Sequence, residues 1–224
     1  MSRPVVAVVD TGVDDALALV VAARHPVLEL RGVVCSAGNV SLERVLANTH
    51  YVLKMLDARV PVAAGADRRL TGRRFAGRDV HGWDGLAGLG PRDSQVMIHR
   101  SMRRAAELAT PDVVVVCLGP ATSLVGLPLG RVVASYARPG QANYEMDPPA
   151  ARLVKVENAD VPDHPISVDP AEGPLGELVA GLLTHQVRRG GGLGDAAVML
   201  RLAEPDLRPP HWARRVQSLA AAKG

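Results

Sequence analysis

Three carboxylates within six positions are the residues of this chain best placed to do chemistry. They are Asp10, Asp14 and Asp15, in the run Val8-Val9-Asp10-Thr11-Gly12-Val13-Asp14-Asp15-Ala16-Leu17. Ionised carboxylates this close repel one another, and a hard divalent cation taking oxygen ligands offsets that repulsion. A lone Asp before a helix reads more simply as a cap that favours the helix dipole. Three of them directly after an apolar run read as an ion site. The chemistry open to such a site is activation of a water, with a carboxylate taking its proton.

The elements that must position these groups follow from the pattern around them. Pro4 to Asp10 is a continuous apolar run, as in a strand buried on both faces. Gly12 permits a tight turn into a helix over Asp14 to Arg24. Asp10 then sits at the carboxyl end of a strand, where ligands bind in open α/β sheets. Strand signals recur at Leu28–Val34, Val60–Ala64, Asp112–Leu118, Arg131–Ala134 and Ala150–Val156. Helical signals fall at Ser41–Leu56 with Ser41 as N-cap, Ser94–Ala109 capped by Ser94, Thr122–Leu127, Pro174–Arg188 and Asp195–Leu202. Residues 66–94 form a long Gly- and Arg-rich loop, a kind that is more often functional than idle. The alternation predicts an α/β protein with a mostly parallel open sheet, helices on both faces, Rossmann-like, forming a single domain over residues 1–224.

Composition narrows the function classes. Residues are 47% hydrophobic over 224 positions, enough for a sizeable core, and no apolar run reaches the ~20 residues of a membrane span. The start, Met1-Ser2-Arg3-Pro4, runs into a strand that ends at an acidic turn, which reads as cytoplasmic and not as a signal peptide. The net charge of +3 comes from scattered arginines, and aromatics are only 3%, so no stacking platform for nucleic acid is expected. Cys35 and Cys117 lie in apolar strand-like runs and read as reduced, buried thiols.

The opening acidic run resembles the N-terminal signature of the inosine-uridine nucleoside hydrolase family, Asp-x-Asp-(Pro/Thr)-Gly-x-Asp-Asp-Ala after the first strand. Asp10 matches the second Asp, and Asp14 and Asp15 match the final pair. Further blocks follow in family order. Val33-Val34-Cys35-Ser36-Ala37-Gly38-Asn39 resembles the strand ending in Gly-Asn, with Asn48 on the next helix. Val60-Pro61-Val62-Ala63-Ala64-Gly65, His81-Gly82-Trp83-Asp84-Gly85-Leu86 and Leu118-Gly119-Pro120-Ala121-Thr122-Ser123 resemble three more. Gly194-Asp195-Ala196 resembles the late His-Asp helix.

The resemblance implies a calcium-dependent nucleoside N-ribohydrolase serving purine and pyrimidine salvage. It acts on a small nucleoside substrate and forms a homodimer or homotetramer. Ca²⁺ would be held by Asp10, Asp15, Asp195 and the backbone carbonyl of Leu118. Asp10 would also be the catalytic base. Asp14 and Asn39 would hold ribose hydroxyls, and Asn143 is a candidate for the same task. His81 has two readings, facing the pocket or bracing the long loop.

The chain departs from the family at particular places. Val8 replaces the first Asp, Gly194 stands where many members carry His, and Ser123 replaces an Asn. Between Tyr136 and Pro148, either Asn143 with Gln141 matches the family block, or a gap brings Glu145 into the pocket. Three functions stay open on sequence: a ribonucleoside hydrolase, a non-catalytic ribose or nucleoside binder, and a hydrolase of another ribosyl compound.

Overall fold

In a computed structural model, residues 2–77, 79–91, 104–159, 161–162 and 164–222 are described. The chain runs β1 (Arg3–Val9), α1 (Val13–Arg24), β2 (Leu28–Cys35), α2 (Leu42–Met55), β3 (Val62–Ala64), α3 (Ala105–Leu108) and β4 (Val114–Cys117). It continues with a 3₁₀ turn (Ala121–Leu124), β5 (Val132–Ala134), α4 (Ala142–Met146), α5 (Pro148–Leu153) and β6 (Glu157–Asn158). The last elements are α6 (Gly173–Arg188), α7 (Gly194–Ala203), a second 3₁₀ turn (Pro209–His211) and α8 (Trp212–Ala221).

The strands form one six-stranded sheet in the order β3-β2-β1-β4-β5-β6. Every pairing is parallel, with Val9 beside Cys35 and Val8 beside Cys117. The α/β expectation holds. The chain winds outward from β1 to β3, returns to β4 beside β1, and winds the other way. The gap between the ends of β1 and β4 is therefore the switch point, where ligands bind in such sheets.

Alternation along β1 splits the core in two. Val5, Ala7 and Val9 pack with α1, α2, α6, α7 and α8 on one face. Val6 and Val8 pack on the other, with Leu108 of α3, Leu124 and Val154. Helix α1 is buried from Ala16 to Ala22 without a break, because α7 and α8 cover the side away from the sheet. Among the described residues no helix is long and apolar enough to cross a membrane. Cys35 and Cys117 are free and buried, as expected, and burial pushes both thiols up to about 12.

Two element assignments change. The strand expected over Ala150–Val156 is instead helix α5, followed by β6 at Glu157–Asn158. The Asp147 carboxylate accepts from Ala150 N–H, and Pro148 occupies the first helical turn. Together they start a helix more strongly than the apolar run favours a strand. Strand β3 begins at Val62 and not at Val60, since Pro61 has no N–H to donate; its carbonyl accepts from Val33 N–H. The predicted Ser94 cap lies outside the described residues; among them α3 starts at Ala105, with Arg104 as its N-cap.

Candidate active site

Asp10 follows β1 directly and is 1% exposed. Its Oδ2 accepts from Asn39 N–H at 2.7 Å. Two glycines, one after β2 and one after β4, close around it. A Cβ at Gly38 would stand 2.1 Å from Asp10 Oδ2, and one at Gly119 would stand 3.0 Å from the Asp10 backbone nitrogen. Neither position leaves room for a side chain while the carboxylate stays in place. Gly38→Ala is therefore expected to displace the Asp10 carboxylate and to lower the activity of the site by about 10²-fold, the scale of a misplacement of about 1 Å. Steady-state kinetics on the variant checks this.

Asp14 and Asp15 fall in the first turn of α1, for which Gly12 is the N-cap. Asp15 Oδ2 turns back to accept from Gly12 N–H at 2.8 Å. Its other oxygen, Oδ1, is buried with no hydrogen-bond partner among the described residues. Asp195 enters from the first turn of α7, 2% exposed, and accepts from Ser135 Oγ at 2.5 Å. One oxygen each of Asp14, Asp15 and Asp195 lies within 4.8 Å of the others. Carboxylates from both ends of the chain thus converge. A buried acceptor left without a donor, among other acceptors, fits a hard cation taking oxygen ligands.

The electrostatics agree. Burial, opposed by the Asn39 N–H and reinforced by Asp14, pushes Asp10 up to about 7. Burial, then the charges of Asp10, Asp195 and Asp14, holds Asp15 well above the ordinary carboxylate range. Asp195 is raised likewise, by burial and then by Asp14 and Asp10, against the Ser135 hydroxyl. Without a counter-charge these groups resist ionising together.

A cavity of about 210 Å³ opens above the cluster. Asp10, Asp14, Asp195 and Leu118 line its floor, and Asn39, His81 and Asn143 its walls. Asp15 lies beneath the floor, fully buried. The tight trio is Asp14, Asp15 and Asp195, with Asp10 facing the same cavity from the end of β1. Asn143 Nδ2 donates to the Leu118 carbonyl at 2.6 Å and to the Ser135 carbonyl at 3.1 Å, tying the ends of β4 and β5 together. His81 satisfies both of its readings. It lines the cavity with Nε2 3.7 Å from Asp14 Oδ1, and its Nδ1 accepts from Val13 N–H at 3.2 Å. Its loop is braced by Asp84, whose carboxylate accepts from Leu86, Gly88 and Gly90 N–H. Asn48 Nδ2 donates to the Asp84 and Thr11 carbonyls.

The departures from the family pattern have local explanations. The Val8 side chain lies fully buried in the apolar layer on the far face of the sheet. Gln141 caps its own turn, accepting from Arg138 N–H, and Glu145 accepts from Gly140 N–H on the surface. Asn143 is the member of that block that reaches the cavity. At Gly194, with φ of +43°, a Cβ would lie 2.9 Å from Asp14 Oδ2 and 3.1 Å from the Tyr136 hydroxyl. Tyr136 thus fills space that a side chain at 194 would need. The sequence reading does not single out Ser135, whose hydroxyl donates to Asp195, nor Tyr136 and Gln186, which line the cavity. Ser135 follows β5 as Asp10 follows β1, a signal that was available. Gln186 sits inside a helix and gave none.

Comparison with known proteins places this geometry. Pyrimidine-specific ribonucleoside hydrolase RihB of Escherichia coli is 25% identical over 248 residues, covering 91% of this chain and 79% of the relative. A purine-preferring ribonucleoside hydrolase from Gardnerella vaginalis superposes with a TM-score of 0.78 at 18% identity, over 98% of this chain and 99% of that one. An inosine-guanosine nucleoside hydrolase gives 0.70 at 24% identity, over 91% and 79%. Residues 5–127 match the family described as inosine-uridine preferring nucleoside hydrolase. That stretch is more than half of the chain and contains Asp10, Asp14, Asp15, Asn39, His81 and Leu118, so the chain belongs to the inosine-uridine preferring nucleoside hydrolase family.

Proposed function

We propose that this chain, as a single domain, hydrolyses the N-glycosidic bond of ribonucleosides to free base and ribose, with Ca²⁺ at the carboxylate cluster. The observation that carries the reading is the orphaned Asp15 Oδ1, buried among Asp10, Asp14 and Asp195 at the switch point of the sheet. Asp10, Asp15, Asp195 and the Leu118 carbonyl would hold the ion. When bound, Ca²⁺ supplies positive charge that draws in ribose hydroxyls and makes water easier to deprotonate.

The chain's own groups do the rest. Asp10 takes a proton from the attacking water, whose oxygen bonds to C1′ as the C1′–N bond breaks. The base departs with the bonding pair and takes a proton from solvent, and Asp10 returns its own proton to solvent as the products leave. Asp14, Asn39 and Asn143 hold the ribose hydroxyls, and the buried carboxylates favour an oxocarbenium-like transition state over the neutral ground state. The His81 proton lies on Nε2, since Nδ1 accepts from Val13 N–H, so His81 presents a donor beside Asp14.

Base release from inosine and uridine, with and without a chelator, tests the proposal. Turnover restored by calcium is expected, and no turnover at any calcium level overturns it. Calorimetric binding of ribose without hydrolysis would instead mark a nucleoside-binding protein. The 2′-deoxy analogues are expected to react roughly 10⁴-fold more slowly, because polar groups built for the hydroxyl would be left unpaired. A homodimer or homotetramer located in the cytoplasm completes the reading, with oligomeric state checked by light scattering.

A further inference from the structure

Tyr136 lines the cavity with its backbone in the left-handed region, at φ +49°. A bulky side chain is rarely held there, and where one is, the strain often marks a functional wall or clamp. Its hydroxyl lies 3.1 Å, and its Cε2 3.4 Å, from where a Cβ on Gly194 would stand; Asp14 Oδ2 is 2.9 Å from the same point. The ring therefore reaches from the end of β5 to the first turn of α7, beside the carboxylates.

Tyr136 also lines a second cavity, of about 330 Å³, together with Ser135, Gln141, Val161 and Arg201. Ser135 ties this side to the floor of the first cavity, since its hydroxyl donates to Asp195. Tyr136 is thus the partition between the site and an adjoining chamber. The proposed hydrolysis fixes which part of a substrate meets that partition, and the inference rests on it. With the 2′- and 3′-hydroxyls on the carboxylates, C1′ and C4′ lie toward opposite walls. The base and the 5′-hydroxymethyl group part accordingly. One wall is formed by Val80, His81 and the Gly191-Gly192 turn, where two glycines present no side chain to obstruct a base. The other is Tyr136 with Ala142 and Met146. We infer that Tyr136 sets substrate specificity at the 5′ end of the sugar, admitting the hydroxymethyl group and excluding ribosyl compounds extended there. The chamber behind it has room for such an extension once the ring is gone.

Three variants test this in the full chain with calcium. Tyr136→Gly removes the ring and suits the left-handed backbone. Tyr136→Asn is small and also tolerates that conformation, so the test stands even where the glycine variant folds poorly. Tyr136→Phe keeps the ring without its hydroxyl. The substrates are uridine, 5′-O-benzyluridine and 5-benzyluridine, which carries the same group on the base. Native kcat/KM on 5′-O-benzyluridine is expected to lie about 10- to 100-fold below that on uridine, the range for a group forced into a packed wall. Y136G and Y136N should close most of that gap and leave the ratio of 5-benzyluridine to uridine unchanged. Y136F should keep both native ratios. A native chain that takes 5′-O-benzyluridine as readily as uridine overturns the assignment. So does a native-like gap in both Y136G and Y136N, a gain confined to 5-benzyluridine, or a shift in Y136F as large as in Y136G. Should no form hydrolyse any of the three, the hydrolytic reading fails. Calorimetry with uridine and 5′-O-benzyluridine then decides for Tyr136, equal ratios of Kd in the native chain and Y136G ruling the partition out.

Discussion

Asp10→Asn is expected to lower kcat on inosine or uridine by about 10²- to 10⁴-fold, the usual contribution of a positioned proton acceptor. The substitution preserves shape. An amide oxygen can still accept from Asn39 N–H, and Gly38 and Gly119 still leave space for a side chain of that size. What it removes is the charge and the capacity to take a proton. Were Asp10 only a ligand, excess calcium would recover most of the activity. As the base, its loss persists at saturating calcium. Kinetics of the variant across a calcium titration separate the two, and kcat within tenfold of the native value at saturation would remove Asp10 from the proton-transfer step.

The parts of this site that were legible in the sequence are those built from local spacing. Asp10, Gly12, Asp14 and Asp15 lie on one strand-to-helix turn, so the chain's local geometry alone brings them together. Ser41 was readable as a cap because capping joins residues three positions apart. The Asp147-Pro148 start of α5 carries the same kind of information, but the apolar run after it reads as a strand. The harder parts depend on distant pairings. Asp195 meets Asp14 only because α7 packs on α1, a contact no window of sequence contains. It was placed by family resemblance. Gln186 had neither a local spacing nor a matching block to reveal it, and Ser135 had only its place directly after β5. Tyr136 belongs to the same class. Its role against Gly194 exists only once β5 and α7 are side by side.

With calcium chelated, the thermal midpoint of the native chain is expected to fall as pH rises from about 4 to about 8, relative to Asp15→Asn. The direction follows from three raised carboxyls. Asp10, Asp15 and Asp195 hold protons more tightly when folded than when unfolded, with Asp10 moved from 3.8 to about 7. Stability from such groups is complete below the ordinary carboxylate range and is lost as pH climbs through the raised values. Asp15→Asn removes one of the crowded charges, keeps an oxygen for Gly12 N–H, and offers its neighbours a donor. Its chelated midpoint at pH 8 should therefore exceed that of the native chain. Calcium reverses the order. At ~100 times its dissociation constant a ligand adds ~2.7 kcal/mol, which for a chain of this size is ~5–10 °C. The native midpoint should rise by that amount at pH 8 and far less at pH 5, where protons hold the same oxygens. Asp15→Asn should respond weakly at both. A native midpoint that tracks the variant across pH, or that ignores calcium at pH 8, would mean these carboxylates are not gathered to hold a cation.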